Sequence, residues 1–381
     1  MPSSGLRGRV AVAGVGTTTF GRLPQHDPYD LGIWALKEAL TDSGLKLSDI
    51  DGLIVNRIPD YQRLGEMLGF DPRFVTTTPG QGRFSGNCIE QAVAMISAGL
   101  ATTIALVYGN NGRSGGDKYG GETDVHGGGA GSMWFPWGMT SPGAFHAMMF
   151  QRHMQLYGTT PDDLGRVATT FRNHALLNPN AVMQKPISMD DYRAARFVAE
   201  PLRLLDYCLI NDGGVAMIIT SAERARDLRQ APVYISGFSQ ATKLAGSTYP
   251  PTDFWREPMQ LAAQDVYSMA GRRPEDMDAL MIYDNFTPVV LFALEGFGFC
   301  PVGESGRWIA DDKLALGGRY PTNTSGGHLS ESYMQGWGLN VEAVRQLRGE
   351  CGARQVQGAR NIQYVCCAPV ITSIIYSTSP Q

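Results

Sequence analysis

The sequence predicts an α/β protein of two halves related by a pseudo-twofold axis, on three observations. The first is a repeated order of elements. Arg9-Val-Ala-Val-Ala-Gly-Val-Gly16 is a short apolar run closed by glycine, the pattern of a buried strand and its turn. Tyr29–Ser43 follows, with Leu31, Ala35, Leu36 and Leu40 on one helical face. Ser48-Asp-Ile-Asp-Gly-Leu-Ile-Val55 is then an acidic turn leading into a strand. Beyond the midpoint the series recurs as the strand Pro232-Val-Tyr-Ile-Ser-Gly237, the helix Pro258–Ala270, and the acidic turn and strand Glu275-Asp-Met-Asp-Ala-Leu-Met-Ile282. The second observation is the local match of Asp-Ile-Asp-Gly-Leu-Ile to Asp-Met-Asp-Ala-Leu-Met, which falls at the same step of both series. The third is composition. Of 381 residues 43% are hydrophobic and 18% charged, enough apolar material to bury a core in each half. The halves are predicted as residues 1–230 and 231–381, with the boundary near Arg229–Pro232.

Charge and cysteine usage exclude several classes. A net charge of −4 gives no basic footprint for nucleic acid. The six cysteines, Cys88, Cys208, Cys300, Cys351, Cys366 and Cys367, include no Cys-x-x-Cys pair. Neither a zinc site nor a disulfide framework is expected, and no metal. The N-terminus lacks the basic region and apolar core of a signal segment. No apolar run is long enough to span a bilayer. A cytoplasmic protein without a membrane partner is the expectation.

Between the repeated elements lies an insertion, at about residues 112–200, that does not recur. It is rich in Gly, Met, Trp and His and contains Gly127-Gly-Gly-Ala-Gly131 and Met133-Trp-Phe-Pro-Trp137. Such a segment is expected to cover a pocket. Pro142–Tyr157 reads as a Met-rich helix carrying His146 and His153, with no third ligand at helical spacing. The first half also holds Thr76-Thr-Thr-Pro-Gly-Gln-Gly-Arg-Phe-Ser-Gly-Asn-Cys88, then the helix Ile89–Ala98 and the strand Thr103–Tyr108. A glycine-rich bend feeding a helix gathers backbone N–H groups at one point, where an anion can sit.

The segment Asn323-Thr-Ser-Gly-Gly-His-Leu-Ser-Glu-Ser-Tyr333 carries the family signal. With Asn173-His-Ala-Leu-Leu-Asn-Pro179, Ala199-Glu-Pro-Leu-Arg-Leu-Leu-Asp206, Asn211-Asp-Gly-Gly214, Tyr283-Asp-Asn-Phe286 and Glu295-Gly-Phe-Gly-Phe-Cys300, it resembles the thiolase superfamily over essentially the whole chain. Within that superfamily it is similar to the sterol-carrier-protein-type thiolases and the relatives that act on steroid side chains. The resemblance implies the thiolase fold, two βαβαβαββ halves in a five-layer αβαβα sandwich. It also implies that the usual catalytic residues are exchanged. The nucleophilic cysteine position falls near Gly82, and Cys88 stands about six residues later, inside the helix. The His-Asp-Cys-Phe motif reads Tyr283-Asp284-Asn285-Phe286, and Gly-His-Pro reads Ser332-Tyr333-Met334.

A thiolase needs a thiolate to take the acyl group and a histidine to activate it. Loss of both resembles the steroid side-chain aldolases, which cleave a β-hydroxyacyl-CoA by a retro-aldol step without an acyl-enzyme. The resemblance makes Tyr283 and Tyr333 the acid and base. Tyr333 is expected as base toward the β-hydroxyl and Tyr283 as acid or enolate donor, with the reverse assignment open. A phenol's ordinary pKa of about 10 lies closer to an alcohol or an α-carbon than a carboxylate's does. A basic tyrosine must then be partly ionised or joined to a relay, for which Asp284, His328 and Glu331 are candidates. Backbone N–H groups near Gly82 and in Ser325-Gly326-Gly327 are candidate oxyanion and CoA contacts. No bound cofactor is expected, since the substrate carries its own coenzyme A. The resemblance also implies a homodimer and a separate small partner with a zinc ribbon and an OB-fold that helps hold the acyl-CoA. Two rival readings stand beside this one. One is a thiolase or acyltransferase using Cys88, Cys366 or Cys367. The other is a non-catalytic acyl-CoA or lipid carrier.

Overall fold

The computed structural model describes residues 4–79, 84–117, 122, 133–139, 141–244 and 250–380. The first half supplies strands β1 (Val10–Thr17), β2 (Gly52–Asn56), β3 (Phe74–Thr78), β4 (Thr103–Asn110) and β5 (Gly213–Ser221). The second supplies β6 (Val233–Thr242), β7 (Ala279–Ile282), β8 (Asn361–Cys366) and β9 (Val370–Ser377). They join in the order β3-β2-β4-β5-β1-β6-β9-β8-β7.

Outward from the β1–β6 junction the pairing repeats. β1–β5 and β5–β4 are antiparallel, and β4–β2 and β2–β3 are parallel. On the other side β6–β9 and β9–β8 are antiparallel and β8–β7 is parallel. A single parallel bridge, Leu280 to Thr322, stands where a counterpart of β3 would lie. The junction itself is two residue pairs, Ala11 with Tyr234 and Val12 with Val233.

Among the helices of the described residues, eight frame the layers and the site: α1 (Pro28–Ser43), α2 (Phe84–Ser97), α3 (Pro142–Tyr157), α4 (Pro161–Ala175), α5 (Arg256–Ala270), α6 (Thr287–Gly296), α7 (Gly327–Ser330) and α8 (Trp337–Arg348). Alternation along the strands sorts them into layers. In β4, Ala105 and Val107 share a core with Ala35, Leu36 and Ala39 of α1. Ile104, Leu106 and Tyr108 face the other way, toward Ile89 of α2 and Trp337 and Val344 of α8. In β7, Ala279 and Met281 face that same central layer, whereas Leu280 and Ile282 pack with Met259 of α5 and Val289 of α6. Helices α2 and α8 touch strands of both halves. The result is the five-layer αβαβα arrangement.

The acidic repeat has a physical reason. Asp51 accepts the N–H groups of Thr102 and Thr103, at 2.9 and 2.8 Å, where β4 begins. Asp278 accepts those of Arg360 and Asn361, at 2.7 and 2.9 Å, where β8 begins. Each aspartate satisfies backbone donors that no neighbouring strand reaches, and starts the strand beside its own.

The insertion contains the helix read at Pro142–Tyr157 and a second one beside it. Phe150 of α3 and Leu164, Val167 and Phe171 of α4 are buried in one core with Phe292 and Val289, so this helix pair belongs to the outer layer of the second half. Its apolar spacing demands such a wall. The glycine run at 127–131 lies outside the described residues. His146 and His153 face that core. His153 bonds Thr159 at 2.8 Å and Glu295 at 3.2 Å, and among the described residues no three His, Cys, Asp or Glu side chains cluster as a metal site. Among those residues no helix is long and apolar enough to cross a membrane.

Because the two aspartates do the same work, Asp51→Ala and Asp278→Ala should cost alike. Each should lower stability in urea unfolding by about 1–2 kcal/mol, the penalty for orphaned backbone donors. A loss at one position alone would contradict the equivalence.

Candidate active site

Tyr283 continues the inward parity of Ala279 and Met281, so its ring enters the central layer just past the end of β7. Asn323 ends that strand. Its side chain accepts the Ile282 N–H and donates to the Ile282 carbonyl, both at 2.8 Å. It does so from φ +49°, a conformation asparagine tolerates better than most residues.

The next residue, Asp284, is fully buried. Its carboxylate accepts the His328 N–H at 2.9 Å and the Leu329 N–H at 3.2 Å, the first donors of α7. Gly327 has φ +61°, and a Cβ there would come within 2.3 Å of an Asp284 oxygen. Only glycine lets the loop close on the carboxylate. Burial pushes Asp284 up to about 8 against the pull of the bonds it accepts.

His328 accepts the Gly336 N–H at Nε2, 3.0 Å. Its proton is therefore assigned to Nδ1, which lies 3.3 Å from Asp284. Burial lowers its pKa to about 3, so the ring is neutral. It meets Tyr283 and Tyr333 edge-on, at 4.7 and 5.2 Å between centroids.

Tyr333 is held from behind. Its N–H donates to Asn211 Oδ1 at 2.7 Å. Its hydroxyl lies 2.8 Å from that of Tyr283, the rings 6.2 Å apart and inclined by 67°. Burial raises both phenols well above their usual range, and the neighbouring Tyr333 adds to the rise at Tyr283. Both are neutral at physiological pH. Tyr333 opens on a cleft lined by Ser141, Pro142 and Gly143 at the start of α3 and by Tyr207, Cys208, Asn285 and Phe286.

Three expectations change. The loop Ser325-Gly326-Gly327 offers no open oxyanion donors from its glycines. The Gly326 N–H bonds the Asn323 carbonyl at 2.8 Å, the Gly327 N–H faces Ser325 Oγ at 3.4 Å, and the next two N–H groups go to Asp284. Glu331 is no relay. It accepts from Asn178 at 2.9 Å and Ser325 at 2.7 Å, and burial beside Glu342 pushes it up to about 7. Asp284 likewise accepts two backbone N–H groups of the loop. Of the two routes open to a basic tyrosine, the raised phenols disfavour partial ionisation and leave a relay. Gly82 lies outside the described residues.

The thiols fit a nucleophile poorly. Cys88 is fully buried on α2 at 3.2 Å from the Thr78 hydroxyl, and burial pushes it up to about 12. Cys366 and Cys367 are fully buried. Cys208, which sequence reasoning passed over, is half-buried at the cleft. The nearby imidazole of His328 accepts the Gly336 N–H at Nε2, and its buried Nδ1 has no hydrogen-bond partner among the described residues. Asn211 and Asn323 were visible only as letters of longer motifs. Nothing in their spacing announced which loop each would hold.

Residues 245–364 match the family described as thiolase C-terminal domain-like. The chain is 36% identical over 368 aligned positions to the steroid side-chain-cleaving aldolase of Thermomonospora curvata, covering 90% of this chain and 91% of that protein. It is 34% identical over 389 positions to the 17-hydroxy-3-oxo-4-pregnene-20-carboxyl-CoA lyase of Mycobacterium tuberculosis, covering 97% and 98%. The solved structure of the Ltp2-ChsH2(DUF35) aldolase superposes with a TM-score of 0.88 at 34% identity, over 98% of each chain. Human mitochondrial 3-ketoacyl-CoA thiolase shares the fold, with a TM-score of 0.71 at 15% identity.

Glu331 supplies a pH test. An unfolded glutamate ionises near about 4.3, whereas the folded one holds its proton to about 7. The unfolded state is therefore favoured as pH rises through that window, and the loss levels off above it. Glu331→Gln keeps an acceptor for Asn178 and removes the titration. Thermal melts should show both proteins alike near about pH 4.5 and the variant more stable at pH 8, by on the order of 1–2 kcal/mol. A gap that shrinks with rising pH would contradict the assignment.

Proposed function

The chain belongs to the thiolase-fold family of the steroid side-chain-cleaving aldolases, and on that premise we propose how its two phenols work. The protein is a carbon–carbon lyase that cleaves a β-hydroxyacyl-CoA by a retro-aldol reaction, without an acyl-enzyme. The single observation that carries the mechanism is the 2.8 Å contact between the Tyr283 and Tyr333 hydroxyls. By motif resemblance the two phenols stand at the histidine positions of His-Asp-Cys-Phe and Gly-His-Pro.

The reaction conserves protons. The β-hydroxyl loses one, the Cα–Cβ bond breaks to a carbonyl and a thioester enolate, and the α-carbon gains one. Tyr333 takes the β-hydroxyl proton while its own passes to Tyr283. In the same step Tyr283 gives its own proton to the α-carbon as enolate character develops there, so three protons move together and both phenols end neutral. The opposite direction through the same pair is equally balanced. Raised phenol pKa values suit such a relay, because no resting phenolate is required and none is stabilised. His328, neutral and edge-on to both rings, fixes their angle and does not compete for the proton.

The same reading takes a steroid or similar side chain as the acyl group. Supporting this are the substrate named for the Mycobacterium tuberculosis relative and the apolar cleft formed by Pro142 and Phe286. It includes a homodimer and a small zinc-ribbon and OB-fold partner that helps bind the acyl-CoA. The two-component name of the Ltp2-ChsH2(DUF35) aldolase supports such a partner. A cytoplasmic setting, and no cofactor beyond the coenzyme A of the substrate, complete the proposal.

The test is release of a short acyl-CoA and a ketone or aldehyde from β-hydroxyacyl-CoA thioesters, with and without a partner. Tyr283→Phe and Tyr333→Phe should each lower kcat by about 10³ with KM little changed, and Cys88→Ser should keep full activity. An acyl adduct in intact-protein mass spectra, or an active Tyr333→Phe enzyme, would restore the thiolase reading. Binding without turnover of any such thioester would favour a carrier.

A further inference from the structure

Retro-aldol cleavage leaves a thioester enolate whose oxygen needs hydrogen-bond donors in place before the charge appears. Of the two expected sources, the loop Ser325-Gly326-Gly327 spends its glycine N–H groups internally, and Gly82 lies outside the described residues. The geometry points to Tyr207 as a donor, giving a hydrogen bond to the thioester oxygen as the carbon–carbon bond breaks. This rests on the retro-aldol reading of the Tyr283–Tyr333 pair and adds a third phenol with a different task.

Tyr207 lines the same cleft as Tyr333. Its hydroxyl is buried and, among the described residues, has no hydrogen-bond partner. A buried phenol without a partner costs free energy unless something else uses it. The group is also rigidly presented. Its backbone pairs with Phe286 as an antiparallel bridge, and the following Cys208 N–H donates to the Asn285 carbonyl at 3.0 Å. Its ring meets the Phe286 ring edge-on at 4.9 Å. The preceding carboxylate, Asp206, accepts from Thr287 at 2.6 Å, from Tyr192 at 3.0 Å and from the Arg203 N–H at 2.6 Å. The segment bearing Tyr207 is thus docked along the very motif that bears Tyr283.

The hydroxyl also sits against the start of α3. A Cβ on Gly143 would lie 2.4 Å from it, so only glycine admits the ring here. Gly143 is the second residue of a 16-residue helix, a position whose N–H has no intrahelical acceptor, and Ser141 makes no side-chain cap. The phenol and the positive end of a helix therefore meet at one wall of the cleft. Burial, with Asp206 alongside, pushes Tyr207 up to about 12. It stays a protonated donor throughout turnover and gives up no proton.

Tyr207→Phe tests this, because the ring that packs on Phe286 and Gly143 remains. With a β-hydroxyacyl-CoA thioester, kcat should fall about 100-fold or more while KM changes less than about threefold. The melting temperature should hold. Uptake of deuterium at the α-carbon of propionyl-CoA in D₂O, which reports enolate formation alone, should fall in parallel. Gly143→Ala, which keeps the hydroxyl but drives the ring aside, should show the same kcat loss. A Tyr207→Phe enzyme with wild-type kcat and exchange would overturn the inference and leave the tyrosine pair standing. A rise in KM with kcat unchanged would also overturn it, as mere packing. A wild-type enzyme that cleaves no β-hydroxyacyl-CoA would remove the reading on which both stand.

Discussion

The carboxylate of Asp284 organises the site. It follows Tyr283 directly in the chain and binds the first N–H groups of the loop that ends at Tyr333. One buried group therefore sets both the depth of one phenol and the approach of the other. It is tolerated there because backbone donors and His328 surround it, and a desolvated carboxylate without them would be costly. Asn323 and Asn211 perform matching tasks at either end, one finishing β7 and the other holding the Tyr333 backbone. The reactive hydroxyls meet because three side chains with no part in bond making leave them no other place.

This arrangement explains why the exchange of sulfur and imidazole for two phenols is coherent. A thiolate needs a cationic or polar setting to lower its pKa. The pocket here does the reverse, raising Cys88, Tyr283 and Tyr333 together by burial. Covalent capture of an acyl group is poorly served by such a setting. Shuttling one proton between a hydroxyl and a carbon is well served, since neutral donors and acceptors lose little by leaving water. The same low-dielectric setting strengthens a hydrogen bond offered to a forming enolate.

Much of the fold was legible because it rests on local pattern. The apolar run read as a strand at Thr103–Tyr108, the helix faces of α1 and α5, and the repeated acidic turns each carry their cause within a few residues. The duplication was legible for the same reason, since Asp51 and Asp278 solve one local problem twice. The two tyrosines were visible through motif resemblance, and the inward parity from Ala279 to Tyr283 agrees. What failed was the fate of polar groups whose partners are remote. The N–H groups of His328 and Leu329 go to a residue more than forty positions earlier, so a loop that reads as an oxyanion cradle closes on itself. Glu331 looks poised for Tyr333 two residues on, yet it turns to Asn178. Tyr207 sits beside Tyr333 by tertiary placement alone, with no motif to mark it.

The central claim is that two neutral phenols relay three protons in the step that breaks the carbon–carbon bond. A proton inventory under single-turnover conditions tests it most directly, with the cleavage rate followed against the deuterium fraction of the solvent. The account predicts a bowed, cubic dependence, since the substrate hydroxyl proton and both phenol protons are in flight together. A straight line, or no solvent isotope effect on cleavage, would contradict it.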